Sequence, residues 1–123
     1  NRSGLSGLLA GRSTAEIIVR VPSLVGLSVL PAGTVPPNPQ ELLGRPAFID
    51  MLRALELDFD VIIIDTPAAG DYADAQTIAA RAGSALMLAR NNRSSLPELV
   101  RLAHSLRQSG TLLVGSVLND TRI

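Results

Sequence analysis

Two aspartates that bracket a short apolar run are the residues of this chain with the clearest potential for chemistry. Asp60 and Asp65 enclose the four β-branched residues 61–64, and Thr66 and Pro67 follow. Such a run is typical of a strand buried on both faces, as parallel sheets require. The proline ends the strand, so we expect Asp65 at its carboxyl end, where open α/β sheets bind their ligands.

Two interpretations of Asp65 remain open at this point. A carboxylate at the carboxyl end of a buried strand fits the metal side of a nucleoside triphosphate site. The alternative is a buried strand whose terminal aspartate caps a turn or the next helix. The eight residues 60–67 alone favour this alternative, because short motifs produce many false matches.

The composition indicates one globular domain and excludes several classes of function. The chain has 123 residues, 46% of them hydrophobic, which is enough for one packed core. Eleven basic and eleven acidic side chains balance, and aromatic residues make up 2%, so we expect no nucleic-acid binding. The absence of cysteine excludes disulfides and thiolate metal sites. We also predict no membrane span and no signal peptide.

The absence of lysine limits any nucleotide site that these residues form. All of the basic side chains are arginine, whereas a phosphate-binding loop of the G-x-x-x-x-G-K-[ST] type requires a lysine. A nucleotide site built from this sequence alone is therefore absent or incomplete. The single histidine, His104, likewise excludes a cluster of several histidines around a metal.

The periodicity of apolar residues and the turn signals predict an alternation of strands and helices. We predict strands over residues 16–20, 27–30, 61–64, 84–90 and 111–118. We predict helices over residues 1–11, 39–43, 46–59, 72–82 and 95–109. Because strands alternate with helices from about residue 26 onward, the pattern indicates a mostly parallel α/β sheet flanked by helices.

Three stretches of the sequence indicate a protein family as well as a fold class. They are the proline-rich residues 30–43, the aspartate-ended run 60–67 with Asp74 after it, and residues 115–119. In this order and spacing they resemble the bacterial tyrosine kinases of capsular and exopolysaccharide assembly, of the chain-length-determinant type. Residues 4–11 and 90–94 are also similar to that family, which commonly has glycine where Asn92 stands.

The resemblance implies a P-loop NTPase-like fold related to the MinD and ParA ATPases, incomplete at its N-terminus. Residues 1–123 would form a single domain, the C-terminal portion of a tyrosine kinase domain that lacks the Walker A and Walker A′ motifs. The family uses ATP and Mg²⁺ to phosphorylate tyrosines, largely its own. We therefore expect a protein-tyrosine autokinase of exopolysaccharide biosynthesis whose 123 residues alone are inactive.

The resemblance also assigns roles to individual residues. Asp65 matches the Walker B aspartate, which holds Mg²⁺ directly or through water and thereby serves catalysis. Asn119 matches an asparagine that approaches the adenine base, although a turn after a strand also explains it. Asp74 falls near the site, and helix capping is the rival explanation. We expect Tyr72, the only tyrosine, to pack rather than to accept phosphate.

Partners and location follow from the resemblance only. We expect ATP, a transmembrane polysaccharide co-polymerase or activator, homo-oligomers and a cytoplasmic position at the inner face of the plasma membrane. Two alternatives are a MinD/ParA-like ATPase that switches partners and a non-catalytic interaction module derived from the kinase. Because the strand that carries the P-loop should lie beside residues 61–64, we also expect an open strand edge there.

Overall fold

A computed structural model describes residues 4–11, 18–68 and 74–120 of the chain, which divides into two compact units, Asn1–Asp58 and Phe59–Ile123. The first unit contains the elements α1 (Leu5–Leu9), β1 (Val19–Arg20), β2 (Ser28–Val29), α2 (Pro39–Gly44) and α3 (Pro46–Glu56). The second contains α4 (Asp74–Ala82), β3 (Ser84–Arg90), α5 (Leu96–Gln108) and β4 (Leu112–Asn119). The prediction that all 123 residues form one domain stays a prediction.

A short hairpin opens the sheet structure of the first unit. β1 and β2 pair antiparallel, with Val19 opposite Val29. The loop between them closes through a hydrogen bond from the Val21 N–H to the Leu27 carbonyl (3.0 Å). The structure confirms a strand near each predicted position, while residues 16 and 17 lie outside the described residues. The prediction of parallel pairing from residue 26 onward is wrong for β2, because the connection from β1, residues 21–27, is too short for a parallel crossover and brings the two strands together antiparallel.

The beginning of α1 is fastened to the proline-rich loop. The Leu5 N–H donates to the Pro31 carbonyl at 2.7 Å, and the Ser6 hydroxyl donates to the Thr34 carbonyl at 2.6 Å. The first of these bonds satisfies a backbone N–H at the helix start that has no partner within the helix. Residues 4–6 and 31–34, which are far apart in sequence, therefore form one local structure.

Two glycines make this close approach possible. A Cβ atom added at Gly4 would overlap the backbone of Gly33. Gly33 has a φ of +82°, which side chains other than glycine rarely adopt, and an added Cβ would lie 2.8 Å from the Ser6 hydroxyl. Gly4 and Gly33, which lie in two of the family-like stretches, thus have a packing reason.

The helices α2 and α3 supply most of the first unit's core. Both begin at a proline in the first turn, as the sequence predicts. Phe48 is the most deeply buried large side chain, at 1% exposure. Other buried apolar residues of this unit are Leu9, Leu42, Leu43 and Leu52. The apolar stripe predicted for α3 is confirmed, but the helix ends at Glu56 and does not include Phe59.

A two-stranded parallel sheet is the centre of the second unit. β3 and β4 pair from Ser84 opposite Leu112 to Arg90 opposite Asn119, with one irregularity between Ala85 and Leu86. The α4 helix packs against β3, and α5 packs against β4. The buried apolar residues of this unit are Ala75, Ile78, Ala79, Ala89 and Leu106. The predicted strand at 84–90 is confirmed with its exact bounds, and parallel pairing is confirmed for this sheet.

The boundaries of α5 follow local sequence signals. Ser95 lies at the N-cap, and its hydroxyl accepts a long hydrogen bond from the Glu98 N–H (3.5 Å). Gly110 follows the helix with a φ of +84°, so it ends the helix at the position predicted for it. The Ser105 hydroxyl donates to the Gln76 side-chain oxygen at 3.1 Å and joins α5 to α4.

The predicted strand at residues 61–64 is the main departure from expectation. No strand in the described part of the chain pairs with it, so it is neither helix nor sheet. Val61 is 75% exposed and Ile63 is 89% exposed, which contradicts burial on both faces. Their neighbours Ile62 and Ile64 are half-buried, so exposure alternates with the period of two that a strand would have. A strand requires a hydrogen-bonded neighbour, and the described residues do not supply one here.

Candidate functional site

The carboxyl ends of β3 and β4 lie at one edge of the parallel sheet. Arg90 and Asn119 form the last pair of the ladder. We refer to residues 90–94 and 119–120 together as the carboxyl rim. Parallel α/β sheets bind ligands outside this edge, where the loops that follow the strands meet.

A closed turn forms the β3 side of the carboxyl rim. The Ser94 N–H donates to the Arg90 carbonyl (2.9 Å), and the Arg90 N–H donates to the Ser94 hydroxyl (2.8 Å). Asn92 has a φ of +61°, the left-handed conformation that asparagine tolerates better than most residues. The asparagine in place of the family's usual glycine is therefore compatible with this turn.

Asn91 connects the two halves of the carboxyl rim through two hydrogen bonds. Its backbone N–H donates to the Asn119 carbonyl at 3.0 Å. Its side-chain nitrogen donates to the Asp120 carboxylate at 2.7 Å. The chain thus remains tied together one step beyond the last paired residues of the strands.

Asp65 follows the unpaired residues 61–64 and is exposed to solvent. Within the described residues, no hydrogen bond or ion pair engages its carboxylate. The neighbouring Thr66 is exposed as well. An exposed carboxylate without a protein partner retains both oxygens for a hard cation such as Mg²⁺.

Asp74 and Asn119 occupy different settings. Asp74 is the first residue of α4 and is half-buried, where its charge favours the positive end of the helix dipole. Capping therefore remains a sufficient explanation for it. Asn119 is the last residue of β4, half-buried at the carboxyl rim, and takes part in the rim's hydrogen bonding. Tyr72 lies outside the described residues.

No preassembled metal centre is present among the described residues. Residues 4–11, 18–68 and 74–120 contain no group of three or more histidine, cysteine, aspartate or glutamate side chains placed to hold an ion. The structure brings Asn119 together with the 90–94 turn but shows no bond that links either to Asp65 or Asp74. Among the described residues, Asp65 is therefore not part of a preassembled group of metal-binding side chains.

An apolar cavity in the first unit is a different kind of site. Its volume is about 240 Å³, and its lining is formed by Leu8, Leu9, Ile18, Leu30, Ala47, Met51, Ala54 and Leu55. Because this lining has no charged or hydroxyl side chain, it offers nothing to a triphosphate. The carboxyl rim is the better candidate for ligand binding.

The sequence interpretation did not single out Asp120 or give Asn91 a role of its own. A usable signal was present, since short polar side chains follow two consecutive predicted strands at residues 91 and 119–120. Parallel strands place such residues at one edge, where they can bond. Which amide would face which carboxylate could not be read from the spacing.

Comparisons with known proteins agree with the fold and with the sequence motifs. No protein-family model matches the chain. The tyrosine-protein kinase ptk of Acinetobacter johnsonii is 35% identical over 117 residues, which are 95% of this chain and 16% of that protein. The solved chimerical protein CapA2B2 superimposes with a TM-score of 0.90 at 31% identity, over 100% of this chain and 54% of that one. The kinase domain of Escherichia coli tyrosine kinase ETK gives 0.88 at 31% identity, over 100% of this chain and 51% of that one.

These similarities define first a fold and then a family. The chain has the α/β fold of P-loop NTPases, with its parallel sheet and flanking helices. It belongs to the bacterial tyrosine kinases. The chain spans about a sixth of the length of the curated relatives and about half of the solved kinase chains. None of the helices in the described residues has the length and apolar character needed to cross a bilayer.

Proposed function

We propose that these residues belong to an ATP-dependent protein-tyrosine autokinase of exopolysaccharide or capsule assembly, and that Asp65 is its magnesium-side aspartate. One observation carries the assignment of Asp65. Its carboxylate is exposed and has no partner among the described residues, directly after an apolar run whose exposure alternates like that of a strand. A capping aspartate would instead be expected to accept hydrogen bonds from nearby backbone N–H groups.

Asp65 provides one carboxylate, which meets the minimum that a magnesium site of this kind takes from the protein. Mg²⁺ in phosphoryl-transfer enzymes is bound by one or two carboxylates, with water and substrate phosphates completing the shell. Asp65 would hold the ion directly or through water. When bound, the ion would offset the negative charge that phosphates carry during transfer. The described residues offer no second carboxylate in a metal cluster with it.

Asn119 and Asp74 have supporting roles in this proposal. Asn119 lies at the carboxyl rim, where its amide would approach the adenine base of ATP. Asp74 begins α4, where it would stabilise the helix that follows the aspartate loop and so lie near the site. Both assignments rest on position in the fold and on similarity to the family.

The partners and location proposed are those of a kinase at a membrane. The protein would act in the cytoplasm at the inner face of the plasma membrane, beside a transmembrane polysaccharide co-polymerase or activator, as a homo-oligomer. The kinase relatives support this setting. A balanced charge and a low aromatic content argue against nucleic acid as a partner.

The 123 residues alone are expected to be inactive. They contain no lysine, so they lack the side chain that pairs with the β- and γ-phosphates in a P-loop. Because phosphoryl transfer depends on positioning and charge stabilisation, this loss removes most of the catalytic machinery. Calorimetric titration of the 123-residue chain with Mg-ATP should show no tight binding, and micromolar affinity would contradict this expectation.

The decisive experiment compares two aspartates at opposite ends of residues 61–64. In the protein at the full length encoded by its gene, Asp65→Asn should lower the rate of tyrosine autophosphorylation by about a hundredfold or more, because the magnesium ligand loses its charge. Asp60→Asn is the matched control, since Asp60 is also exposed but lies at the amino end of the run. It should change the rate by less than about threefold.

Other outcomes of the same assay separate the alternative functions. Equal effects of the two substitutions would contradict the role of Asp65. ATP hydrolysis that depends on Asp65 but yields no phosphotyrosine would identify a partner-switching ATPase instead. Absence of both hydrolysis and phosphotyrosine in the full-length wild-type protein would identify a non-catalytic module.

A further inference from the structure

We propose that Asn91 is a positioning residue for nucleotide recognition, acting as a latch that fixes the backbone of Asn119 and Asp120 at the carboxyl rim. This inference rests on the proposed function, because it concerns how the same nucleotide site distinguishes its base. We call the two bonds from Asn91 to Asn119 and Asp120 the rim latch.

The donor and the acceptor of the side-chain bond in the rim latch can be assigned. An ionised carboxylate only accepts hydrogen bonds, so the Asp120 oxygen 2.7 Å away requires the NH₂ group of the Asn91 amide. The second bond, from the Asn91 N–H to the Asn119 carbonyl at 3.0 Å, extends the strand pairing by one step. One residue therefore holds two consecutive residues of the neighbouring strand end.

The turn that carries Asn91 is held independently of its side chain. Arg90 and Ser94 exchange two hydrogen bonds, and the Arg93 N–H donates to the Arg90 carbonyl at 3.1 Å. Asn92 supplies the left-handed residue that the turn requires. Removal of the Asn91 side chain should therefore leave intact both the turn and the backbone bond to the Asn119 carbonyl, and free only the neighbouring Asp120.

The position of this backbone matters for the choice of base. An asparagine amide can pair with adenine by donating from its nitrogen and accepting with its oxygen. At its Watson–Crick edge, guanine presents the reversed arrangement, with the N1–H donor beside the O6 acceptor, and the same amide matches it after rotating by half a turn. A site that holds the amide in one orientation prefers adenine, whereas a loosened site loses that preference. The rim latch fixes the backbone from which the Asn119 amide starts.

The test replaces the side chain of Asn91 in the full-length gene product. Asn91→Asp places two carboxylates against each other, and Asn91→Ala removes the donor. Both should raise the KM for ATP by about three- to tenfold with kcat little changed, since one hydrogen bond is lost and repulsion adds to the loss in Asn91→Asp. The KM for GTP should change less, so the preference for ATP falls.

A reciprocal double variant makes the test specific. Asn91→Asp combined with Asp120→Asn restores one donor facing one acceptor, and it should return the ATP preference to within about twofold of the wild type. Asn38→Ala is the matched control, because Asn38 is also an exposed asparagine whose amide donates to a carboxylate, that of Glu41 at 3.4 Å, and it lies outside the carboxyl rim. It should leave both KM values unchanged.

The outcomes separate this inference from the proposed function. If the wild type binds ATP and the base preference is unchanged in Asn91→Ala and Asn91→Asp, the rim latch is only structural and the inference is overturned. Failure of Asp120→Asn to rescue Asn91→Asp would overturn it as well. If the full-length wild type binds no ATP, the proposed function fails first, and the recognition role of Asn91 fails with it.

Discussion

Residues 61–64 and the strand β3 are two apolar runs with similar sequence signals and different outcomes. Both end in a charged residue at the point where a loop begins, Asp65 in one case and Arg90 in the other. β3 pairs with β4 over its whole length. Residues 61–64 have no pairing partner among the described residues and leave Ile63 89% exposed.

The difference shows that an apolar run specifies a strand only together with a neighbour. A strand leaves unpaired N–H and C=O groups on both sides, and these groups favour the extended ladder only when another strand supplies their partners. β3 obtains such partners from β4 and a cover from α4. Residues 61–64 retain the alternating exposure of a strand but not its hydrogen bonds.

The largest expected effect comes from placing a glutamate in each of the two runs. Ala89→Glu introduces a charge at a buried position of β3, and it should lower the free energy of unfolding of the 123-residue chain by about 3 kcal/mol or more. Ile63→Glu should change that free energy by less than about 0.5 kcal/mol, because the side chain stays in water. Urea unfolding followed by circular dichroism measures both values.

The cost of Ile63→Glu should also depend on whether a neighbouring strand is present. In the full-length gene product, a strand that pairs with them would bury part of their surface. Ile63→Glu should then become more costly than in the 123-residue chain. An equally large cost for Ile63→Glu and Ala89→Glu in the short chain would show that residues 61–64 are covered there, against the structure.

The next comparison contrasts a buried and an exposed leucine of the second unit. Leu106 on α5 is buried, whereas Leu88 on β3 is 68% exposed. Leu106→Ala should lower the free energy of unfolding by about 2–5 kcal/mol, which combines the lost transfer energy and the cavity. Leu88→Ala, the matched control with the same change in side-chain volume, should cost less than about 1 kcal/mol. A larger cost for Leu88→Ala would mean that the exposed face is covered in solution.

How much of the fold could be predicted depends on whether the signal is local. The bounds of β3, the cap of α5 at Ser95 and its end at Gly110 were predictable, because proline, serine and glycine act within a few residues. The exposure of residues 61–64 and the antiparallel pairing of β2 were not, because both depend on which strand lies alongside.

In the candidate site, too, the features set by local sequence could be predicted, and those that depend on distant residues could not. The position of Asn119 at the end of a strand could be read from the sequence, and the structure confirms it. The rim latch could not, because it joins Asn91 to residues 28 and 29 positions away through a specific side-chain orientation. The roles of Asp65, Asp74 and Asn119 toward ATP and magnesium stay predictions.

The smallest expected effect concerns the start of α5, a boundary that the sequence predicts well. Ser95→Ala removes the hydroxyl that accepts from the Glu98 N–H over 3.5 Å. Because that bond is long, the loss should lie near the low end of cap substitutions, about 0.5 kcal/mol of unfolding free energy. Ser94→Ala in the adjacent turn is a suitable comparison, since its hydroxyl accepts from Arg90 rather than from the helix. A loss above about 2 kcal/mol for Ser95→Ala would indicate a further contact at this position.

The most direct test of the assignment of Asp65 is to locate the metal in the full-length gene product. Mn²⁺ can replace Mg²⁺ beside ATP, and its unpaired electrons broaden NMR signals of nearby nuclei. With Mn-ATP bound, we expect the backbone amide signal of Asp65 to broaden more strongly than that of Asp60, at the far end of residues 61–64, because the broadening falls steeply with distance from the metal. Loss of the Asp60 signal before that of Asp65, or no broadening of either in an ATP-bound protein, would contradict the assignment.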